Sequence, residues 1–138
     1  MGTALTQYAP YDSGPGANVT EATWRSMVRR LVPTGVVAGV LNEFAVFADS
    51  TGMQVKIPSG ECWIEGHWGL QSTQVTQAVT AAHATLARLD RIILRNDFSL
   101  NKIEYDILTN GTPGSTTPPP LTQNSSIWEI SLARVNSG

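Results

Sequence analysis

The sequence predicts a mainly β fold: an antiparallel β-sandwich or meander-like domain with one short N-terminal α-helix and an extended N-terminal arm. Residues 89–98 and 102–108 have the alternating side-chain pattern of strands and flank a short turn, and residues 127–135 show the same pattern. Alternation with a period of two is typical of strands. Helical spacing is confined to residues near 19–32, and 12 Gly and 8 Pro suit a chain with many turns.

The chain has the length of one domain, since 138 residues bury about two thirds of their unfolded surface in a single core. Residues 1–17 are predicted to form an arm, and residues 18–138 a single β-rich domain. The arm has neither helical nor strand periodicity but carries Tyr8 and Tyr11. It is either ordered by lying across a neighbouring subunit or disordered, as termini often are.

The helix, predicted over about residues 19–32, is recognised by an apolar stripe with the spacing i, i+3, i+4, i+7. The stripe consists of Trp24, Met27, Val28 and Leu31. Asn18 with Glu21 forms one capping-box pattern, and Thr20 with Thr23 offers an alternative start. Pro33 ends the helix.

Five further strands are predicted between the helix and residue 78. They cover residues 36–41, 44–49, 53–57, 62–70 and 72–77. The first three are predicted to form a meander. Cys62 and Ile64 share one side of the fourth, and Cys62 is expected to be a buried small hydrophobe rather than a reactive thiol.

The last third predicts a hairpin, a stiff crossing and a terminal strand. Residues 89–98 carry apolar side chains at both parities, which favours a strand in the middle of a sheet. Residues 112–120 include four prolines and favour polyproline II geometry. In the terminal strand, one face is predicted to carry the alternate residues Trp128, Ile130, Leu132 and Arg134.

Composition excludes several classes of function. The net charge is −2 and the basic residues are scattered, so direct nucleic-acid binding is not expected. A single cysteine excludes an internal disulfide and fits folding in a reducing cytoplasm. No apolar run approaches the ~20 residues that span a bilayer, and no signal peptide is recognised, so membrane insertion is not expected.

Catalytic, cofactor and metal sites are not predicted. His67 and His83 have no carboxylate or cysteine at a recognised ligand spacing, and neither a nucleophile elbow nor a glycine-rich phosphate loop is present. We therefore expect that the protein is not an enzyme. The simplest role of Asp90 is pairing with Arg88 or Arg91.

The tryptophans allow two interpretations: burial in a core or interface, and a platform for stacking a sugar. Burial is favoured for Trp63 and Trp128. Trp68 lies beside glycine and is the residue for which a ligand-facing role stays open, together with His67.

Several segments, taken in order, resemble the amino-terminal attachment module of receptor-binding, baseplate and minor tail proteins of long-tailed phages. They are YDSG at 11–14, ANVTEA at 17–22, GVV at 35–37, LNE at 41–43, ADSTGMQV at 48–55, PSGECWIEG at 58–66, and the strand, proline and strand sequence of the last third.

This resemblance implies attachment of a fibre or receptor-binding part to the tail tip or baseplate, commonly as a trimer. It also implies assembly in the host cytoplasm without membrane passage, and a final location in the tail of the virion. Members of that family usually continue into a distal fibre or carbohydrate-binding region, whereas this sequence stops at Gly138. A small structural adaptor is therefore the expected role.

We accordingly expect a minor tail protein that self-assembles and contacts other tail or baseplate proteins. Tyr8, Tyr11, Trp24 and Arg29 are the predicted partner-binding residues. The alternative function is a glycan-binding β-domain that contributes to recognition of the host cell surface through Trp68 and His67.

Overall fold

The computed structural model describes residues 2–7, 9–81 and 83–138. Within these residues it contains one α-helix and eight strands. In chain order they are α1 (Glu21–Leu31), β1 (Gly35–Val36), β2 (Gln54–Ile57), β3 (Gly60–Ile64), β4 (His67–Gln71), β5 (Val75–Ala78), β6 (Arg88–Asp97), β7 (Lys102–Leu108) and β8 (Ile127–Ser137). The prediction of a mainly β fold with one short N-terminal helix is confirmed.

The strands form three antiparallel sheets that do not close into a barrel. The first has the order β1-β3-β4, the second pairs β2 with β5, and the third has the order β7-β6-β8. The predicted hairpin is therefore confirmed as β6 and β7, and β6 lies in the middle of its sheet as expected. Strands β4 and β7 are edge strands, and both contribute to the site described below.

The core lies between β6 and the other two sheets. Ile57 of β2, Ile64 of β3 and Ile92 of β6 are fully buried and belong to one apolar cluster. Phe44, Val55, Cys62, Val79 and Leu94 complete the buried part of that cluster. Each buried aliphatic side chain of this kind stabilises the fold by about 1.5–3 kcal/mol relative to an exposed one.

The face of β6 that points away from the core cluster is also covered, since Ile93 lies on that face and is fully buried. Residues 109–126 connect β7 to β8, which flank β6 on opposite sides, so this segment must cross β6. The Thr122 N–H donates to Glu129 Oε2 at 2.7 Å, and Gln123 Nε2 donates to the Glu129 carbonyl at 3.0 Å. The proline-rich segment thus crosses the sheet and is held at its far end by Glu129.

The helix begins two residues later than the Asn18 pattern predicts. Thr20 is the N-cap, and its hydroxyl oxygen accepts from the Thr23 N–H. The Thr23 hydroxyl oxygen in turn accepts from the Thr20 N–H, which completes a capping box. The alternative start is therefore correct. Asn18 instead accepts from the Tyr11 N–H through Oδ1 at 3.1 Å.

The predicted strands at 36–41 and 44–49 are wrong. Of these residues, Val36 belongs to the two-residue strand Gly35–Val36, and Phe47 forms one isolated bridge with Lys56. Between them the chain turns through residues with positive φ, among them Leu41 and Phe44. Phe44 is buried, and a Cβ on Gly60 would lie 2.6 Å from its ring. Insertion of Phe44 against a distant glycine bends the chain here, and local periodicity carries no sign of such a contact.

The predicted strand at 62–70 is two strands joined by a tight turn. Glu65 and Gly66 have φ values of 50° and 83° and connect β3 to β4, so that Trp63 lies opposite Trp68. Two central residues with positive φ are typical of a hairpin turn that suits twisted strands. The predicted strand at 72–77 exists as β5, Val75–Ala78, and pairs with β2.

Strand β8 contains a β-bulge that changes which residues face the core. Ile93 lies opposite Ser131, whereas Ile92 lies opposite Ala133, so Leu132 is the extra residue. After the bulge Ala133 and Val135 face the core cluster. The prediction that Arg134 shares a face with Trp128 is therefore wrong. A bulge of this kind re-aims every side chain beyond it.

Candidate functional site

The apolar stripe of α1 is only partly covered by the rest of the chain. No residue of α1 is buried. Trp24 is 48% exposed and Leu31 is 81% exposed, although both belong to the stripe that the sequence predicts as an apolar face. We call Trp24, Met27, Val28 and Leu31 the helix stripe. This apolar surface is not fully covered by the other described residues.

Polar and ring contacts hold α1 against the β3–β4 hairpin and against Phe98, which follows β6. The guanidinium carbon of Arg25 lies 4.2 Å from the centre of the Phe98 ring, a cation–π contact. Arg29 Nη1 lies 3.4 Å from Glu65 Oε2 in the hairpin turn. Because these contacts involve the polar side of the helix, they leave Trp24 and Leu31 of the helix stripe exposed.

The four predicted partner-binding residues have different environments. Tyr8 lies outside the described residues. Tyr11 is 57% exposed, and its backbone carbonyl accepts from the Asn18 N–H at 2.8 Å, which ties the arm to the segment that leads into α1. Trp24 is exposed on the helix stripe, whereas Arg29 is engaged with Glu65 within the chain.

An open cavity of about 520 Å³ lies along the edge strands β4 and β7. We call it the β4–β7 cleft. It brings His67 and Trp68 together, as the alternative glycan-binding function requires. The other lining residues are Glu21, Gly69, Leu70, Asn96, Asp97, Phe98, Asn101, Lys102 and Ile103.

The two candidate glycan-binding residues are held in fixed orientations. Trp68 is 51% exposed, and its Nε1 donates to Glu61 Oε2 at 3.3 Å. The buried Asn96 amide nitrogen lies 3.1 Å from His67 Nδ1, and His67 Nε2 lies 3.3 Å from Glu21 Oε1, so both ring nitrogens have a polar neighbour. An exposed aromatic ring beside amide and carboxylate groups is suited to a polar ligand with apolar faces.

The cleft carboxylate Asp97 has a structural task. Its Oδ1 accepts from the N–H groups of Ser99 and Leu100, both at 2.9 Å, and thereby closes the turn between β6 and β7. Lys102, at the start of β7, pairs with Glu104 at 2.6 Å. These contacts fix the rim of the cleft and leave the indole of Trp68 as its most exposed aromatic surface.

A smaller cavity of about 200 Å³ adjoins the cleft and shares Gly69, Leu70 and Ile103 with it. Cys62 lies at its base and is buried, as predicted. Burial raises the pKa of the Cys62 thiol to about 11. The thiol is therefore neutral at physiological pH and is a poor nucleophile.

Asp90 and Arg88 form a buried ion pair, which confirms one of the two expected partners of Asp90. Arg88 Nε lies 3.0 Å from Asp90 Oδ1, and the same carboxylate accepts from the Asn110 N–H at 2.9 Å and from Ser137 Oγ at 3.1 Å. Arg88 also donates to the carbonyls of Thr80 and Ala81. This cluster ties the end of β8 to two loops.

Arg95 is surrounded by three carboxylates on the opposite face of β6, an arrangement that the sequence analysis missed. It contacts Asp106 at 2.7 Å, Glu129 at 2.9 Å and Glu104 at 3.4 Å. Burial lowers the pKa of Arg95, but the hydrogen bonds to Asp106 and Glu129 outweigh burial and raise it overall. A signal in the sequence could have revealed this cluster: Glu104 and Asp106 lie two residues apart on β7, and Glu104 is the register partner of Arg95.

Among residues 2–7, 9–81 and 83–138, no group of three or more His, Cys, Asp or Glu is arranged to hold a metal ion. In the same part of the chain, no helix combines the length and the apolar character needed to cross a membrane. Comparisons of the chain with protein-family models, with curated proteins and with solved structures gave no significant match.

Proposed function

We propose that this protein is a structural virion component of a phage tail tip or baseplate, a minor tail protein or adaptor that self-assembles and anchors fibre or receptor-binding components. Its partners are further copies of the same chain, in a trimer, and neighbouring tail or baseplate proteins. It is assembled in the host cytoplasm and resides in the tail of the virion. It is not an enzyme.

The incompletely covered helix stripe carries this proposal. Trp24 and Leu31 lie seven residues apart on one side of α1 and are both exposed. Large apolar side chains that stay exposed together mark surfaces at which proteins associate, and tryptophan is enriched among the residues that dominate binding energy. In a closed symmetric assembly each such contact recurs in every subunit.

The ordered resemblance of the sequence to phage attachment modules supports the same proposal. The acidic and basic side chains with the most contacts also have structural roles. Asp90 and Arg88 join β8 to two loops, and Arg95 binds three carboxylates across its sheet. These groups are occupied by one another, which supports a scaffold rather than an enzyme.

Sedimentation of the isolated chain and electron microscopy of purified particles test the proposal. We expect a trimer that dissociates when Trp24→Ser and Leu31→Ser are combined. Leu100→Ser is the matched control, because Leu100 is 64% exposed but lies in the β6–β7 turn. A chain that is monomeric at high concentration and absent from purified tails would refute the proposal.

Glycan binding is the second candidate function, and the shared position of His67 and Trp68 in the β4–β7 cleft favours it. A glycan array should show binding that is lost in Trp68→Ala. Phe47→Ala is the control, since Phe47 is exposed to a similar degree outside the cleft. A uniform lack of binding across the array would reject this candidate.

A further inference from the structure

Two arginines lie directly opposite each other on the face of the β7-β6-β8 sheet that points away from the core. Arg91 of β6 is the register partner of Arg134 of β8. Arg91 shares its face with Arg95, which lies four residues further along β6. Directly opposed side chains in an antiparallel pair have Cβ atoms about 4.5–5.5 Å apart, and like charges in this position repel.

Neither arginine has an acidic partner in the described part of the chain. No ion pair or side-chain hydrogen bond involves Arg91 or Arg134 there, and Arg91 Nε is buried without any hydrogen-bond acceptor. A buried donor without an acceptor destabilises a fold. Arg95, on the same face, has three carboxylates. Because the buried Nε is closed to solvent, an anion from outside would approach the other nitrogens of Arg91, and one anion between the two guanidinium groups would relieve their repulsion.

A small cavity lies beside this pair. Leu89 and Asn136 are register partners two residues further along the same strands, and they line a cavity of about 250 Å³. The remaining lining residues are Ala87, Arg88, Gly114, Ser115 and Thr116. The arginine pair is therefore next to a depression that offers one leucine side chain together with hydroxyl and amide groups.

We propose that Arg91 and Arg134 together bind the carboxylate of an Asp or Glu side chain in an acidic polypeptide segment of a partner protein, with the adjoining residue of that segment in the cavity beside Leu89. Guanidinium groups match a carboxylate with paired hydrogen bonds. The two arginines lie on the side of the β7-β6-β8 sheet that points away from the core cluster. The inference does not depend on membership of a phage tail.

The surrounding charge favours a polypeptide carboxylate over a nucleic acid. The protein has a net charge of −2, and Glu104, Asp106 and Glu129 lie on the same face around Arg95. A nucleic acid would extend in both directions along this face and meet these carboxylates, whereas a short acidic segment that runs from the arginine pair toward Leu89 leads away from them. Nucleic-acid surfaces, by contrast, present an extended series of cations.

Titration of the isotope-labelled full chain with a capped hexaglutamate peptide tests the site. We expect the Nε resonances of Arg91 and Arg134 to shift, and the affinity to fall tenfold or more in Arg134→Gln. Arg30→Gln is the matched control, because Arg30 is exposed on α1 and also has no acidic partner among the described residues. Capped hexaglutamine should not bind.

Three results would overturn the proposal: no binding of hexaglutamate, equal affinity in Arg134→Gln, or binding of inorganic phosphate as tight as that of hexaglutamate at the same ionic strength. The last result would assign the pair to small anions rather than to a polypeptide.

Arg134→Glu provides a second readout that needs no ligand. This change supplies a carboxylate opposite Arg91, so we expect Tm to rise by roughly 1–5 °C while hexaglutamate binding is lost. Arg134→Gln, which removes the repulsion without adding a partner, should raise Tm less. A lower Tm in Arg134→Glu would contradict the proposal. Sedimentation and particle composition test the tail function separately, so the two proposals can fail independently.

Discussion

A Cβ atom on Gly66 would lie 2.6 Å from the backbone carbonyl oxygen of Arg25. The β3–β4 turn and the middle of α1 therefore approach each other as closely as they do because residue 66 has no side chain. Gly66 also has a φ of 83°, a conformation that other residues rarely adopt. This single position both closes a hairpin and seats the helix that presents Trp24.

Gly66→Ala should destabilise the protein and displace α1. Backbone strain alone costs about 1–2 kcal/mol, and the steric clash adds roughly 1–3 kcal/mol. Gly39→Ala is the matched control, since Gly39 has a φ of 74° but nothing within 4 Å of its missing Cβ. Urea unfolding of both variants would separate strain from clash. Equal losses of stability would show that α1 does not need this close approach.

Asp90→Ala should be among the most destabilising substitutions outside the apolar core. It leaves the buried Arg88 guanidinium without its carboxylate, and loss of one partner of a buried ion pair costs about 3–5 kcal/mol. The double variant Arg88→Met/Asp90→Leu should lose less, because no buried charge is left unpaired. Thermal unfolding, with Asp12→Ala on the exposed arm as the control, would measure both. A smaller loss in Asp90→Ala than in the double variant would contradict this account.

Asp49 should titrate below its ordinary range. Its pKa is lowered chiefly by the hydrogen bond from the Thr51 side chain, with further contributions from the Thr51 N–H and from Lys56. A lowered folded-state pKa stabilises the protein above the ordinary carboxyl pKa, and this contribution disappears as pH falls through the folded value. An NMR titration should show the pKa returning upward in Thr51→Val but not in Thr73→Val. An unchanged pKa in Thr51→Val would assign the shift to another cause.

Cys62 should resist alkylation in the folded protein. Burial raises the pKa of the thiol to about 11, so little thiolate is present at pH 8. Iodoacetamide should modify the native chain far more slowly than the urea-unfolded chain, as followed by mass spectrometry. Ser126→Cys, on an exposed turn, provides a reactive thiol in the same molecule for comparison. Similar rates at the two positions would show that the core opens readily at Cys62.

Local periodicity was sufficient for the strongest elements. The alternation of residues 89–98 and 102–108 predicted β6 and β7, and the apolar residues at both parities predicted the central position of β6. These segments are long, and each repeats its pattern several times. The spacing of the helix stripe likewise located α1, and only its first residues differ.

The errors arise where a distant residue overrides the local pattern. Phe44 bends the chain because it packs against Gly60, and Leu132 forms a bulge because β8 must match the register of β6. The sequence indicated Trp68 and His67 as candidate glycan-binding residues. It could not show that β7 lies close enough to complete a cleft around them.

By itself, the sequence determined the class of the fold, the helix stripe, the β6–β7 hairpin, the terminal strand and the burial of Cys62, because each depends on the order of apolar and polar residues within one segment. Only the tertiary structure decided that Trp24 and Leu31 of the helix stripe stay exposed, that Arg95 meets three carboxylates, and that Arg91 faces Arg134. Those outcomes depend on which strands become neighbours and in what register, and pairing between segments far apart in the chain leaves no periodic trace in either one.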